Sequence, residues 1–562
     1  MLIALPFVPT VGMSQTSFWQ GTDVSDSGPV GLIQYDKHKE VHDALLKAMP
    51  VVLYPDGPLP PSYTPDLDGL PNPNGGVDMN GGLTRMPDGV LEGPRGLRIP
   101  CEKGKCWDGY TLLNAFIGPG FSSGVILIDM EGNIVHQWPG AGGSFSGAAK
   151  MLKGGYIVSA EGFFGGGNLV QRDWCGTPVK SFAGLSNHHD HQRQGSTDGY
   201  YYPGQAAFTD RGVTLSLGSE IPPVEETLNI VNVKRFDSGR PDRPITDDVI
   251  REIPWDWDGT NALFEWRARD HFDNLGPGDL GLGISEDEAA QYALDLGLNS
   301  GGGGNSWGSG SEDWTHANSV AWLGNNRWYT QYQDERFLPE NIIADFRSLN
   351  VTVIIARHDN PGRWSSGDIV WRLGPDYGSD GENGKVGQIV GQHMAYMIPD
   401  TVPGGGNILI YDNGGGAGYG ALIEGLMNPD NSEKLGFWMN KYRNYSRVLE
   451  VNPLTKQIEW QYVQAKPTSN TSLGNDHKFY SNIMSGAQRL HNGNTLITEA
   501  DTGRIFEVTT DGDVVWEYAP DWVSGGGFLG AVYRAYRIPY SWIPKNGLKD
   551  QNNDSIPDMC EE

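Results

Sequence analysis

The chain has 562 residues and a formal net charge of −28 at pH 7, so its surface is strongly acidic. The acidic residues are spread along the chain, which argues against a nucleic-acid partner, because phosphate backbones are bound by basic faces. Beyond the N-terminus no segment reaches the roughly 18 apolar residues of a membrane span, so no span is expected. The 78 glycines, 18 tryptophans and 23 tyrosines are typical of a many-stranded protein with frequent turns.

The first 107 residues differ in composition from the rest of the chain. They begin with MLIALPFVPTVGMSQTSFW, an apolar stretch of signal-peptide length without a basic start, and continue as a segment rich in proline and glycine. We expect an irregular N-terminal arm over 1–107, a main domain over 108–520 and a C-terminal extension over 521–562.

The four cysteines are Cys101, Cys106, Cys175 and Cys560. None forms a C-x-x-C pair, which disfavours a structural zinc site. Cys101 and Cys106 are close enough to close a small loop, and Cys175 with Cys560 would make a second disulfide in an oxidising compartment. An oxidising compartment, periplasmic or secreted, is therefore expected. The alternative to the two disulfides is four free thiols.

A strand–turn–strand unit ending in an aromatic residue recurs along the main domain. The six copies lie at 124–138, 168–182, 248–266, 367–373, 446–460 and 503–518, and their aromatic residues are Trp138, Phe182, Trp266, Trp371, Trp460 and Trp516. Gly/Asn turns leading into alternating strands precede several copies, for example GAQRLHNGNTLITEA at 486–500. This repeat predicts an all-β fold, a six-bladed β-propeller, with a β-sandwich array or a solenoid as alternatives.

The last residues, DQNNDSIPDMCEE, place side-chain oxygens at Asp550, Asn552, Asp554 and Asp558. A D-x-N-x-D spacing presents hard oxygen ligands of the kind that Ca²⁺ prefers, so a calcium loop is one interpretation of the tail. The alternative is a solvated acidic tail without a bound ion.

Histidines recur at one position of the repeat, just ahead of an inner strand. His316 and His393 occupy it in two repeats and the run His188–His191 in a third, where other repeats have Ser146 or Ser485. Inner strands line the central channel of a propeller, so we expect these histidines to converge near its axis. Histidine can act there as a nucleophile, a proton-transfer group or a metal ligand, although each could also be a strand cap.

Arg357 ends the strand-like segment VIIARHDN at 353–360. A guanidinium group binds sulfate-like oxygens in a planar fork, so Arg357 is a further candidate for the same site. The alternative for Arg357 is a surface salt bridge.

The chain resembles the bacterial arylsulfotransferases of the six-bladed propeller type over roughly 108–520. The segments that carry the resemblance are NHHDHQ (187–192), HANSV (316–320), IIARHDN (354–360), GDIVWRLG (367–374), GQHMA (391–395) and GAQRLHNGNTLITEADTGRIFEV (486–508). The resemblance implies transfer of a sulfuryl group from an aryl sulfate donor to a phenolic acceptor, through a sulfated histidine and without a required cofactor.

The resemblance also implies roles for single residues. His393 would be the nucleophile. His189, His316 and Arg357 would bind the sulfuryl oxygens, assisted by Asn318. We assign substrate contacts to His188, His191 and Tyr396, the last by stacking on a phenol ring. The protein could form a homodimer.

Two other functions remain open from the sequence. His188, His189, His191, His316 and His393 could bind copper or another borderline metal in a metal-dependent enzyme. The propeller could also be a non-catalytic extracellular binding platform, because one fold hosts many functions.

Overall fold

The computed structural model describes part of the chain. The described residues are 53–54, 57–58, 96–116, 123–138, 141, 147–161, 167–195, 212–227, 244–272, 312–313, 315–374, 386, 389–415, 421–422, 440–441, 445–463, 479–481, 483–520, 532–549 and 558–560.

Within these residues most strands belong to five antiparallel sheets, which we number I to V in the order of their aromatic outer strands. Sheet I contains Val532–Ile538, Tyr110–Phe116, Ser123–Ile128 and Ile134–Gln137. Sheet II contains Lys150–Leu152, Tyr156–Glu161, Gly167–Arg172, Pro178–Arg193, Thr214–Glu220, Ile245–Ile253 and Phe264–Arg267, and Glu312–Asp313 adds to it in parallel.

Sheets III, IV and V are each built from four successive strands. Sheet III contains Ala317–Trp322, Ile342–Phe346, Val351–Ile355 and Ile369–Leu373. Sheet IV contains His393–Met397, Ile408–Asp412, Arg447–Asn452 and Gln457–Tyr462. Sheet V contains Gly486–Arg489, Thr495–Glu499, Arg504–Val508 and Val514–Tyr518, with Leu97–Ile99 as a fifth strand.

The remaining described elements are short. Two strand pairs stand apart, Leu53–Tyr54 with Gly57–Pro58 and Ala421–Leu422 with Asn440–Lys441. The α-helices are Arg269–Phe272 and Arg327–Thr330, and the 3₁₀ turns are Val224–Thr227, Glu335–Phe337, Arg347–Leu349, Ala500–Thr502, Tyr540–Trp542 and Asp558–Cys560. No helix in the described ranges is long and apolar enough to cross a membrane.

Two strands from outside the series of repeats pair with strands of sheets I and V. Val532–Ile538 pairs antiparallel with Tyr110–Phe116 in sheet I, and Leu97–Ile99 pairs with the last strand of sheet V. Strands from outside the predicted main domain, 108–520, therefore pair with strands inside it. Both pairings were hidden in the sequence because a single edge or closing strand has no hairpin partner next to it in the chain.

The recurring tryptophans join one sheet to the next. Each indole N–H donates to a backbone carbonyl in the following sheet: Trp138 to Gly155 at 3.2 Å, Trp266 to Gly367 at 2.9 Å, Trp371 to Pro453 at 2.7 Å, Trp460 to Thr510 at 2.9 Å and Trp516 to Met130 at 2.9 Å. These five bonds, here called the tryptophan clasps, link sheet I to II, II to III, III to IV, IV to V and V back to I. They close the sheets into a ring.

Phe182 is the one member of the aromatic series without an N–H to donate. It lies in Pro178–Arg193, a 16-residue strand of sheet II whose register shifts between Asn187 and His191. A clasp is not needed at this position, because backbone pairing on both sides of the long strand already connects the two halves of the sheet.

The all-β, propeller-like architecture predicted from the repeat is confirmed. Sheets I, III and IV are blades of four strands around the ring, and in sheet V the strand Leu97–Ile99 adds a fifth to the four. Strands such as Val351–Ile355 and Ile408–Asp412 are buried along their whole length. Neighbouring sheets cover both of their faces, and the apolar side chains between the sheets form the core.

Both expected disulfides are present, Cys101–Cys106 and Cys175–Cys560. The second connects residues 385 positions apart and ties the C-terminal turn to sheet II. Disulfides are consistent with an extracellular or periplasmic location. Of the predicted calcium loop, Asp550, Asn552 and Asp554 lie outside the described residues, and Asp558 begins the final 3₁₀ turn.

The clasps should contribute measurably to stability. We expect Trp371→Phe to lower the free energy of unfolding by about 1–3 kcal/mol, because it leaves the Pro453 carbonyl without its donor and removes part of a buried ring. Denaturant unfolding measures the change. Tyr332→Phe, at a side chain that is 65% exposed, is the control, and equal stability of the two variants would contradict a role for the clasps.

Candidate active site

The predicted histidines lie at backbone irregularities where inner strands begin. His189 and His316 have φ values of 57° and 46°, in the left-handed region that residues other than glycine seldom adopt. In sheet IV the left-handed residue is Met394, at 55°, one position after His393. The strand register shifts at each of the three places, and such bulges re-aim side chains next to functional sites.

The irregular backbone brings two of the predicted histidines into direct contact. The rings of His189 and His316 are 4.7 Å apart, and His188 lies edge-on to His189 with 5.0 Å between ring centroids. All three side chains are buried. His189 is separated from His316 by 127 positions in the chain, so only the folding of sheet II against sheet III places them together.

The carboxylate of Asp248 contacts His188 and the residues beside His316. One of its oxygens lies 3.1 Å from Nε2 of His188, and the other accepts a bond of 2.7 Å from the backbone N–H of Ala317. The hydroxyl of Thr315 donates to the same second oxygen. Asp248 therefore holds the residues on either side of His316, and it connects them to His188.

Arg534 reaches the site from the opposite side of the ring. It belongs to the inner strand Val532–Ile538 of sheet I, and its Nη2 donates to the backbone oxygen of Asn318 in sheet III at 2.7 Å. Its Nη1 lies 3.2 Å from Asp190 of sheet II, and its Nε donates to the backbone oxygen of Ser485, at the start of sheet V, at 3.4 Å. A side chain that belongs to sheet I and contacts three other sheets of the ring must lie near the axis.

Asp190 is the carboxylate that balances Arg534. Its other oxygen is 2.7 Å from Nζ of Lys150, and both ionic partners are buried. Burial alone would raise the pKa of Asp190, but the charges of Lys150 and Arg534 outweigh it and hold the pKa below its ordinary value. The carboxylate is therefore ionised at neutral pH.

His393 lies in a fully defined hydrogen-bond environment. Its Nδ1 is 2.9 Å from Oδ1 of Asn413 and 3.0 Å from the backbone oxygen of Gly391. The amide nitrogen of Asn413 donates to the backbone oxygens of Ser481 and Met484, which fixes the orientation of the amide. Both neighbours of Nδ1 are acceptors, so Nδ1 carries the proton, and Nε2 accepts the backbone N–H of Met484 at 3.0 Å.

His393 and His189 are both neutral at physiological pH. Burial, followed by the charge of Arg347, holds the pKa of His393 well below its ordinary 6.5. Burial, followed by repulsion from His316 and His188, does the same to the pKa of His189. Arg347 is fully buried in the turn after Ile342–Phe346, and its backbone N–H donates to the backbone oxygen of His316.

Two of the other predicted site residues also lie near this group. Asn318 donates from its amide to the backbone oxygen of Gln392, and its Oδ1 is buried with no hydrogen-bond partner among the described residues. His191 lies further along the strand of His189, where burial followed by the charge of Lys150 lowers its pKa to about 3.

Tyr396 and Arg357 have other partners. The hydroxyl of Tyr396 accepts the backbone N–H of Arg489, and its ring is 2% exposed within the core between sheets. The guanidinium of Arg357 pairs with Glu252 at 2.9 Å, donates to the backbone oxygen of Leu263 and lies over the ring of Phe264. The cations whose charges act on the channel histidines are instead Arg534 and Arg347.

Sequence reasoning missed Arg534, Arg347, Asn413 and Asp248. Arg534 lay in the segment predicted as a C-terminal extension, and Arg347 follows a strand with no motif around it. Asn413 directly follows the strand Ile408–Asp412, and a polar residue just after a mainly apolar strand was the one available signal.

No group of three or more histidine, cysteine, aspartate or glutamate side chains is arranged to hold a metal ion in the part of the chain that the structure describes. The five histidines proposed as copper ligands are all described. Of these, His188 pairs with Asp248, and His393 is held by Asn413 and Met484.

Loss of the Arg534 guanidinium should destabilise the ring. We expect Arg534→Met to lower the free energy of unfolding by about 3–5 kcal/mol, because Asp190 and the carbonyl of Asn318 would stay buried without this partner. Denaturant unfolding tests this against Arg363→Met, a cation that is 63% exposed and should change stability by about 1 kcal/mol or less. Similar losses in the two variants would refute the bridging role.

The solved structures to which the chain is similar include two from Bacteroides species. A Bacteroides caccae protein of unknown function shares 10% identity at a TM-score of 0.38, over 76% of this chain and 98% of that chain. A putative 6-phosphogluconolactonase from Bacteroides fragilis shares 9% identity at a TM-score of 0.30, over 78% of this chain and 100% of that chain. TM-scores this low support no argument about fold or function.

No protein of curated function matches the chain. The family model of the arylsulfotransferases (ASST) matches residues 148–520, which is more than half of the chain and spans His188–His191, His316 and His393. The chain therefore belongs to the arylsulfotransferase family.

Proposed function

We propose that this protein transfers a sulfuryl group from an aryl sulfate to a phenolic acceptor, with His393 as the nucleophile. One observation carries the assignment. Asn413 and Gly391 hold the proton of His393 on Nδ1, so the lone pair of a neutral imidazole lies on Nε2. A neutral nitrogen lone pair is what attack on sulfur requires.

The chemistry divides into two displacements. In the first, Nε2 of His393 forms a bond to sulfur while the bond from sulfur to the aryl oxygen breaks, and the phenolate leaves with the bonding pair. In the second, the acceptor oxygen bonds to sulfur, the N–S pair returns to Nε2, and the acceptor proton passes to solvent. Asn413 stabilises the positive imidazole of the intermediate by accepting from Nδ1 throughout.

Donors around His393 would hold the sulfuryl oxygens. Sulfuryl transfer resembles phosphoryl transfer in its loose transition state, so positioned donors supply most of the catalysis. We assign this role to His189, His316 and Arg534, assisted by the amide of Asn318. Arg357 is left out of this set, because its guanidinium contacts Glu252, Leu263 and Phe264. Arg534 instead contacts Asp190 and Asn318, which are close in the chain to His189 and His316.

The backbone N–H of Met484 has to release Nε2 of His393 before the first displacement. Met484 and Ser485 have φ values of 54° and 86°, so two successive residues other than glycine are left-handed. Such a conformation costs of order 1 kcal/mol or more per residue. We infer that this segment shifts when the donor binds.

We count six blades by dividing sheet II into two. Support for the division comes from its long strand, which pairs with Gly167–Arg172 chiefly over 178–182 and with Thr214–Glu220 chiefly over 191–193. Each half then has four main strands, as sheets I, III, IV and V do.

The substrates, the periplasmic or secreted location, the homodimer and calcium at the tail remain predictions. No specific observation favours the copper enzyme or the binding platform.

The transfer assay tests the proposal. Purified protein with p-nitrophenyl sulfate and phenol should release p-nitrophenol, and we expect His393→Asn to reduce the rate by about 1000-fold or more, because no nucleophile remains. Mass spectrometry of protein mixed with donor alone should find one SO₃ group on the peptide that contains His393.

His358→Asn is the matched control, since His358 is exposed. Its rate should equal that of the unaltered protein. Absence of release by the unaltered, folded protein, or full activity of His393→Asn, would refute the proposal.

The loss of activity at low pH should have its midpoint well below pH 6.5. Because the pKa of His393 is depressed, its lone pair stays available as the pH falls through the ordinary histidine range. Measurement of kcat/KM for p-nitrophenyl sulfate between pH 5 and 8 checks this. Burial raises the pKa of Asp345 to about 7, so Asp345→Asn is measured in parallel. A midpoint near 6.5 that persists in this variant would contradict the neutral-nucleophile assignment.

A further inference from the structure

We propose that Tyr533 is a positioning residue: its hydroxyl donates to Nδ1 of His189 and so fixes the tautomer in which Nε2–H of His189 is presented to the sulfuryl oxygens. The part that concerns sulfuryl oxygens rests on the function proposed above. The part that concerns the tautomer stands on the geometry alone.

The contact is short and buried. The hydroxyl oxygen of Tyr533 is 2.7 Å from Nδ1 of His189, and the two side chains are 1% and 6% exposed. Tyr533 adjoins Arg534 on Val532–Ile538, so the same strand sends two neighbouring residues to the site. This strand lies beyond residue 520, where the match to the arylsulfotransferase family ends.

The direction of the hydrogen bond follows from the partners. Burial raises the pKa of Tyr533, so the phenol keeps its proton. Among the described residues, Nδ1 of His189 is the one acceptor recorded for that proton. If His189 donated from Nδ1 instead, the buried phenol hydrogen would have no acceptor, at a cost of about 1–3 kcal/mol. Tyr533 therefore donates, and the proton of neutral His189 lies on Nε2.

This tautomer is the opposite of that of His393. Acceptors at Nδ1 leave His393 with a free lone pair on Nε2 when Met484 moves, whereas a donor at Nδ1 leaves His189 with an N–H on Nε2. A neutral N–H can hold a sulfuryl oxygen without adding a second positive charge beside Arg534. The environment of Nδ1 thus decides which histidine attacks and which one binds.

Comparison of Tyr533→Phe with Tyr518→Phe tests the proposal. Tyr518 is equally buried but lies on the outer strand of sheet V, so it controls for loss of a buried hydroxyl away from Arg534. With p-nitrophenyl sulfate and phenol, we expect Tyr533→Phe to lower kcat about 10–100-fold with a smaller change in KM, because the donor acts mainly on the transition state. Tyr518→Phe should keep the kcat of the unaltered protein.

A second measurement does not depend on activity. Solid-state ¹⁵N NMR of histidine-labelled protein, with the His189 signals assigned by their loss in His189→Asn, distinguishes the two tautomers. We expect Nε2–H in the unaltered protein and in Tyr518→Phe, and a mixture of tautomers in Tyr533→Phe.

The outcomes separate the two proposals. Nδ1–H in the unaltered protein, or equal losses of kcat in both tyrosine variants, would overturn the role of Tyr533 even if transfer occurs. Nε2–H in a protein that transfers no sulfuryl group would overturn the proposed function and support the tautomer assignment.

Discussion

The buried guanidinium of Arg534 is the interaction on which the centre of the molecule depends. It lies on the last strand of the ring and contacts Asp190, Asn318 and Ser485, which belong to three other sheets or their entries. A buried cation is tolerated only when ionic and hydrogen-bonding partners surround it. The inner strands must therefore keep their spacing, and the histidines next to these partners are held in place.

The tryptophan clasps hold the outer strands of neighbouring sheets together and so help to keep the spacing of the inner strands. Each joins an outer strand to a turn of the next sheet, and together they return from sheet V to sheet I. Because the ring is closed at its rim, a charged group at the axis can meet fixed partners from several sheets. The disulfide Cys175–Cys560 adds a covalent link between the C-terminal turn and sheet II.

Chemistry at the axis is set by hydrogen bonds to ring nitrogens more than by the identity of the residues. His189 and His393 are both buried and neutral, yet Tyr533 and Asn413 give them opposite tautomers. In the function proposed above, a hydroxyl and an amide on different sheets thus distinguish the histidine that binds from the histidine that attacks. The family relationship and this geometry support the same reaction class.

The all-β repeat and the recurring histidines could be predicted from the sequence, because alternation, turn residues and recurring aromatic positions are local patterns. The disulfide pairs followed from the number and spacing of the cysteines. The partners of the histidines are visible only in the folded ring. Arg534 lies 141 positions after His393, and the closing strand that carries it has no local signal. Arg357 and Tyr396 were plausible by type, but ionic pairing with Glu252 and core packing occupy them. Such pairings join residues distant in sequence, so only folding of the ring specifies them.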